Sequence, residues 1–91
     1  MYVFSAKLSL YVPNTKSLKD KRSVSRSVIE KARNRFNASI SEVGTLASIR
    51  QLTLGISVVS GEASHAQNSL EEIIRYIEKT ADAEVVGVER F

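Results

Sequence analysis

Six cations mark the part of this chain best suited to chemistry: Lys16, Lys19, Lys21 and Arg22 within seven residues, then Arg26 and Arg33. Their common chemistry is the holding of anions, arginine as a planar fork for phosphate or carboxylate and lysine as a point charge. To act together they need a helix. At 100° per residue Lys19, Arg22, Arg26 and Arg33 fall within about 60° of one another and span roughly 21 Å, one exposed row. A solvated face stitched by Arg26–Glu30 and Glu30–Arg33 pairs, each worth about 0.2–0.5 kcal/mol, is the plain alternative. Against it stands the crowding of Lys16, Lys19, Lys21 and Arg22 at the helix start. The macrodipole is positive there, and each cation costs about 0.3–1 kcal/mol. Free backbone N–H groups at the same end favour a negative guest, so Lys16 to Arg22 reads as an anion-binding corner. Lys21 near the start and Arg35 near the end lie on the apolar side, where their stems are expected to pack on the core while their charges reach water. Lys31 sits on the flank, with no role assigned.

Other chemistries find little support. There is no cysteine, which removes disulfides, thiolate metal sites and cysteine nucleophiles, and the single His65 supplies too few nitrogens for an ordinary zinc site. His65 is expected on the polar side of a helix. Ser23, Ser25 and Ser27 have no G-x-S-x-G context and no histidine–carboxylate relay. Acylphosphatase, of similar size and expected chain order, holds phosphate in a glycine-containing loop after its first strand. The corresponding segment here, Val12-Pro13-Asn14-Thr15-Lys16-Ser17-Leu18, has no glycine. A binding protein without catalytic residues or cofactor is therefore expected.

The elements that must position the cations follow from periodicity. Tyr2, Phe4, Ala6, Leu8, Leu10 and Val12 alternate with Ser5, Lys7 and Ser9, the pattern of a strand with one buried face. Pro13-Asn14 ends it, and Ser17 with Asp20 three residues on resembles a helix-opening cap. Leu18, Val24, Val28, Ile29, Ala32 and Phe36 give an apolar stripe within about 140°, predicting a helix from near Leu18 to Asn37. Ala38 and Ile40 form a short strand that pairs as a hairpin with the strand carrying Leu52, Leu54, Ile56 and Val58. Ser64-His65-Ala66-Gln67 fits a capping box before Ala66, Leu70, Ile73, Ile74 and Ile77, a second amphipathic helix. Val85, Val86 and Val88 predict a last strand whose inward face is ambiguous, because Ala83, Val85, Gly87 and Phe91 compete with Val86 and Val88. The order matches an α+β, ferredoxin-like βαββαβ plan, a four-stranded antiparallel sheet with two helices on one face, as a single domain over 1–91.

Length and composition bound what this fold can do. Ninety-one residues, 43% hydrophobic and 25% charged, suit one small domain. Such a chain buries roughly 60–68% of its unfolded surface, so a site is expected on the surface. No run approaches 18 apolar residues and the start has no basic leader, so neither membrane span nor export signal is expected and the cytoplasm is the expected location. Charge is uneven. Residues 1–40 hold nine bases against two acids, net +7, and residues 41–91 hold four against eight, net −4. Such a dipole points to an anionic partner or to two halves that face each other.

The open sheet face offers Ser5, Lys7, Ser9, Thr53, Gly55 and Ser57, with Tyr11 near an edge, so it lacks the aromatic platform of the common RNA-recognition sheet. Nucleic acid would have to be held by shape and phosphate contacts. The same face with Val3 and Val59 also suits a second subunit. Glu71, Glu72, Arg75, Glu78 and Lys79 read as a solubilising face, Glu71–Arg75 having the favourable i,i+4 order. Leu46 and Ile49 in the hairpin tip either dock a partner or fold back over the sheet edge, and folding back is expected.

Several ordered segments, Ser17-Leu18-Lys19-Asp20-Lys21-Arg22-Ser23-Val24, Arg33-Asn34-Arg35-Phe36-Asn37, Ser41-Glu42-Val43-Gly44, Leu54-Gly55-Ile56-Ser57-Val58-Val59-Ser60 and Val86-Gly87-Val88-Glu89-Arg90, together resemble the uncharacterised bacterial family typified by YlxP. Asp20 stands where the family pattern has Glu. The resemblance implies a small ferredoxin-like cytoplasmic protein whose relatives are commonly encoded near translation-initiation and ribosome-maturation genes. It supplies no catalytic residues. The expected function is an accessory RNA- or ribosome-binding protein that contacts phosphates through Lys16, Lys19, Lys21, Arg22, Arg26 and Arg33. A homo-oligomeric or small-anion-sensing module without catalysis is the alternative.

Overall fold

The alternation at the start becomes a two-faced strand, β1 (Tyr2–Tyr11): Ala6, Leu8 and Leu10, with Val12 just beyond, are buried, while Lys7 and Tyr11 are exposed. In the computed structural model, which describes residues 1–91, it is followed by α1 (Leu18–Arg35), β2 (Ser39–Glu42), β3 (Gln51–Ser60), α2 (Ala63–Thr80) and β4 (Glu84–Arg90). The strands form one sheet in the order β2-β3-β1-β4, every neighbouring pair antiparallel. This is the expected ferredoxin-like α+β arrangement. Leu8 stands opposite Leu54 and Leu10 opposite Leu52. The face they share is covered by Val28 and Ala32 of α1 and by Ala66, Leu70, Ile73, Ile74 and Ile77 of α2, which closes one core. No helix is long and apolar enough to cross a membrane.

One open reading is resolved and two local expectations are corrected. First, β4 carries a bulge: Ser9 pairs with Gly87 but Leu10 with Val85, leaving Val86 as the extra residue. The bulge accounts for the two competing apolar sets. On one side of it Ala83 and Val85 pack against the core, on the other Val88 stands opposite Leu8, and Val86 turns to the open face beside Ser9 and Tyr11. Second, the box at Ser64 does not form. The helix begins two residues earlier than that box requires, at Ala63, and its N-cap Glu62 makes no side-chain cap bond, its own amide donating instead to Ser60 Oγ at 3.1 Å.

Third, the hairpin tip does not fold back over the sheet edge: Leu46 is 67% exposed and Ile49 39%. Polar contacts hold the tip without them. Thr53 N donates to Thr45 Oγ1 at 2.8 Å, and the buried Thr15 hydroxyl lies 2.7 Å from the Ile49 carbonyl oxygen and 2.9 Å from that of Val12. This ties the turn after β1 to the tip and thereby fixes where α1 starts.

Candidate nucleic-acid interface

The helix that carries the cations opens with a cap of the expected kind. Ser17 is extended at φ −152°, its Oγ accepts from Asp20 N at 3.1 Å, and Lys21 N donates to Ser17 O to close the first turn. Asp20 reaches back to the amide of Lys16, one residue before the cap, at 3.1 Å. A Glu at that position is the usual partner for the cap residue's own amide. The shorter Asp20 engages the preceding amide instead, so the chain entering the helix is still held from both sides.

From this start, Lys19, Arg22, Arg26 and Arg33 emerge exposed along one side of α1, and Lys16 is exposed just before it. The ion pairs of the protein are Lys7–Glu89, Lys21–Glu42 and Arg90–Glu71, so none of those five cations is matched by a carboxylate. The Arg26–Glu30 and Glu30–Arg33 pairs of the plain alternative do not form. Between α1 and the edge strand β2 the row borders a shallow groove of about 290 Å³, walled by Arg22, Arg26 and Arg33 with Ile29, Ser41 and Glu42 among its lining. Arg33 spends one donor here: its Nη2 lies 2.6 Å from the Ile40 carbonyl oxygen, closing part of the open edge of β2.

Lys21 is the correction. Expected among the anion-binding cations, with its charge carried to water, it is 0% exposed. Its Nζ lies 2.8 Å from Glu42 Oε2, donates to Gln51 O at 3.2 Å and also donates to Thr45 O, so all three ammonium protons are engaged. Thr45 Oγ1 in turn donates to Glu42 Oε2 at 3.2 Å while accepting from Thr53 N. A carboxylate and two backbone carbonyls from the hairpin thus hold this one cation at the root of α1. Every buried side-chain nitrogen and oxygen has a partner. The angular position of Lys21 on the apolar side was the available signal; Glu42, 21 residues away on another element, was not identifiable as its partner from spacing.

Arg35 fulfils its packing role, with its guanidinium 5.0 Å from the Tyr76 ring centroid and 5.9 Å from that of Phe36, and the two rings in edge contact at 5.6 Å. On α2, Glu71 pairs with Arg90 of β4 instead of with Arg75. The contact is bidentate, at 2.8 and 2.6 Å. These bonds from Arg90, with its charge and that of Arg75, hold the Glu71 carboxyl below 4.5 against a smaller opposing effect of burial. His65 is exposed near the start of α2. A larger concavity of about 460 Å³ lies away from the cation row, on the open sheet face, with Lys7 as its one cationic lining residue.

Residues 3–90 match the family described as "Protein of unknown function (DUF503)". A relative from Bacillus subtilis (strain 168), "Uncharacterized protein YlxP", is 31% identical over 68 residues, covering 75% of this chain and 74% of the relative.

Proposed function

The chain belongs to the DUF503 family, and on that footing we propose that it is a non-catalytic accessory protein of the cytoplasm that binds RNA, including ribosomal RNA, through phosphate contacts along α1. One observation carries the reading: Lys16, Lys19, Arg22, Arg26 and Arg33 are exposed and unmatched by any carboxylate, although the acidic half of the chain has eight acids with which to neutralise them. Where the fold does need a cation balanced, at Lys21, it supplies Glu42. Leaving Lys16, Lys19 and Arg22 unmatched at the helix start costs stability, and an outside polyanion offsets that cost.

The shape of the groove favours an extended polyanion over a small enclosed anion. Glu30 and the Lys21-paired Glu42 line the groove together with Arg22, Arg26 and Arg33, so a lone phosphate inside it would lie near carboxylates, whereas a phosphodiester chain can follow the exposed row along α1. Neither Phe nor Tyr lines the groove, and the central strands present Ser5, Lys7, Ser9, Thr53, Gly55 and Ser57, so stacking on bases contributes little. Binding of this kind is weakly selective for sequence and strongly dependent on salt. The test is binding of a structured RNA by wild type and by the Lys19→Ala/Arg22→Ala/Arg26→Ala variant across a salt series. Each lost phosphate contact is expected to reduce the log–log salt slope by about 0.7–0.9. Equal affinity and equal slope for the two proteins would dismiss the reading.

A further inference from the structure

A second group of cations lies apart from the α1 row. Two residues beyond Arg33, a step of about 200° around the helix carries Arg35 to the side of α1 that meets α2. There an open hollow of about 640 Å³ brings Arg35 and Phe36 together with Glu72, Arg75, Tyr76 and Lys79 of α2. Arg35, Arg75 and Lys79 are exposed, and none of them enters an ion pair. Arg75 loses its partner to the fold. Its favourable i,i+4 acid, Glu71, makes a bidentate contact with Arg90 instead, so β4 takes the carboxylate and leaves the Arg75 guanidinium at the hollow. Lys79 suits the end of α2 in its own right, as a cation in the last turn. Glu72 is the one acid of the lining, which leaves the hollow with a net charge of +2.

The other half of the hollow is aromatic. The Arg35 guanidinium lies 5.0 Å from the Tyr76 ring centroid, and Phe36 meets Tyr76 edge-on at 5.6 Å. A guanidinium has two flat faces; one is turned to the rings, and the exposure of Arg35 leaves the other to a planar guest. Arg75 and Lys79 are one helical turn apart, with about 5–6 Å between their β carbons, so a fork and a point charge can share one phosphate. We propose that this hollow is a nucleotide site, in which the base stacks on Arg35 and the phosphate is held by Arg75 and Lys79. Bases stack on arginine planes as they do on aromatic rings. Inorganic phosphate satisfies only the cations and a nucleoside only the stacking surface, whereas a nucleotide satisfies both. The size of the hollow is within the range of about 300–1,000 Å³ over which small ligands are bound. A free nucleotide and an unpaired residue of an RNA present the same base and phosphate to it.

NMR titration of the full chain tests the assignment, with adenosine 5′-monophosphate, adenosine and inorganic phosphate as probes. The monophosphate is expected to shift the amide signals around Arg35 and Tyr76 saturably, and to bind about tenfold or more tightly than adenosine or phosphate alone. Arg75→Ala/Lys79→Ala, at two exposed positions, is expected to weaken its binding by about tenfold or more, whereas Lys19→Ala/Arg22→Ala/Arg26→Ala leaves it unchanged. The site therefore stands or falls separately from the α1 row. In that triple variant, single-stranded oligoadenylate distinguishes the two sources: tighter binding than the monophosphate marks unpaired RNA, and equal or weaker binding marks a free nucleotide. Absence of saturable shifts, an affinity for phosphate alone equal to that for the monophosphate, or undiminished binding by Arg75→Ala/Lys79→Ala would overturn the proposal.

Discussion

Lys21 and Arg22 are neighbours in the chain, carry the same charge and start the same helix, yet they occupy opposite physical regimes. Lys21 has no exposed surface and three oxygen acceptors, one of them a carboxylate; Arg22 is exposed and has no carboxylate partner. A step of 100° around the helix separates a cation that belongs to the fold from one that is free for a ligand. Counting bases in a segment therefore overstates the size of a binding surface. Angular position, and then the whereabouts of the acids, decides which charges are available.

The largest effect separates the two regimes. Removing one partner of the buried pair, by Lys21→Met or Glu42→Leu, is expected to destabilise the protein by about 3–5 kcal/mol, because the other charge is left buried and unpaired. Removing both together exchanges ions for apolar groups of similar volume and is expected to cost far less than the sum of the single changes. Urea denaturation of the four proteins measures this coupling. Additive single changes would show that the pair does not act as a unit.

A smaller effect of opposite sign is expected one residue before the cap-closing aspartate. Lys19→Glu replaces an exposed cation in the first turn with an anion that the helix dipole favours, and should raise stability by about 0.3–1 kcal/mol while weakening RNA binding. Loss of both stability and binding would place Lys19 in the fold, with Lys21, instead of in the row.

The smallest effect belongs to the exposed Glu71–Arg90 pair, which joins α2 to β4. Because the Glu71 carboxyl is held below 4.5 in the folded state, the pair contributes stability above that pH and loses it as pH falls through the depressed folded value. Arg90→Ala should therefore lower stability at neutral pH, converge with wild type in acid, and show a difference that shrinks with added salt. A carboxyl titration by NMR checks the cause directly: the Glu71 value should return towards 4.5 in the variant.

How much of this was legible beforehand depends on the range of the interaction. The buried face of β1 and the inward stripe of α2 follow from alternation and the helical repeat, which need only neighbouring residues, and these readings lead to the ferredoxin-like plan. The Ser17 cap is likewise local. The bulge at Val86 is not, since an extra residue shows itself only against a partner strand, and β4 accordingly read as two conflicting faces. The exposed Leu46 depends on hydroxyl contacts from Thr15 and Thr45 that hold the tip without an apolar anchor. Within the candidate site, the row of Lys19, Arg22, Arg26 and Arg33 followed from helical angles. The removal of Lys21 from the wider anion-binding set depended on Glu42, which the β2–β3 hairpin folds back onto the helix start.

The central claim, that exposure and lack of an acidic partner distinguish ligand-binding cations from structural ones, is tested most directly by salt-dependent RNA affinity. The comparison is among wild type, Lys19→Ala/Arg22→Ala/Arg26→Ala, and Lys21→Met/Glu42→Leu, each checked for folding. The account predicts that the log–log salt slope falls by about 2–3 in the triple variant and stays at the wild-type value in the double variant. A slope that falls when Lys21 and Glu42 are replaced but survives loss of the exposed row would contradict it.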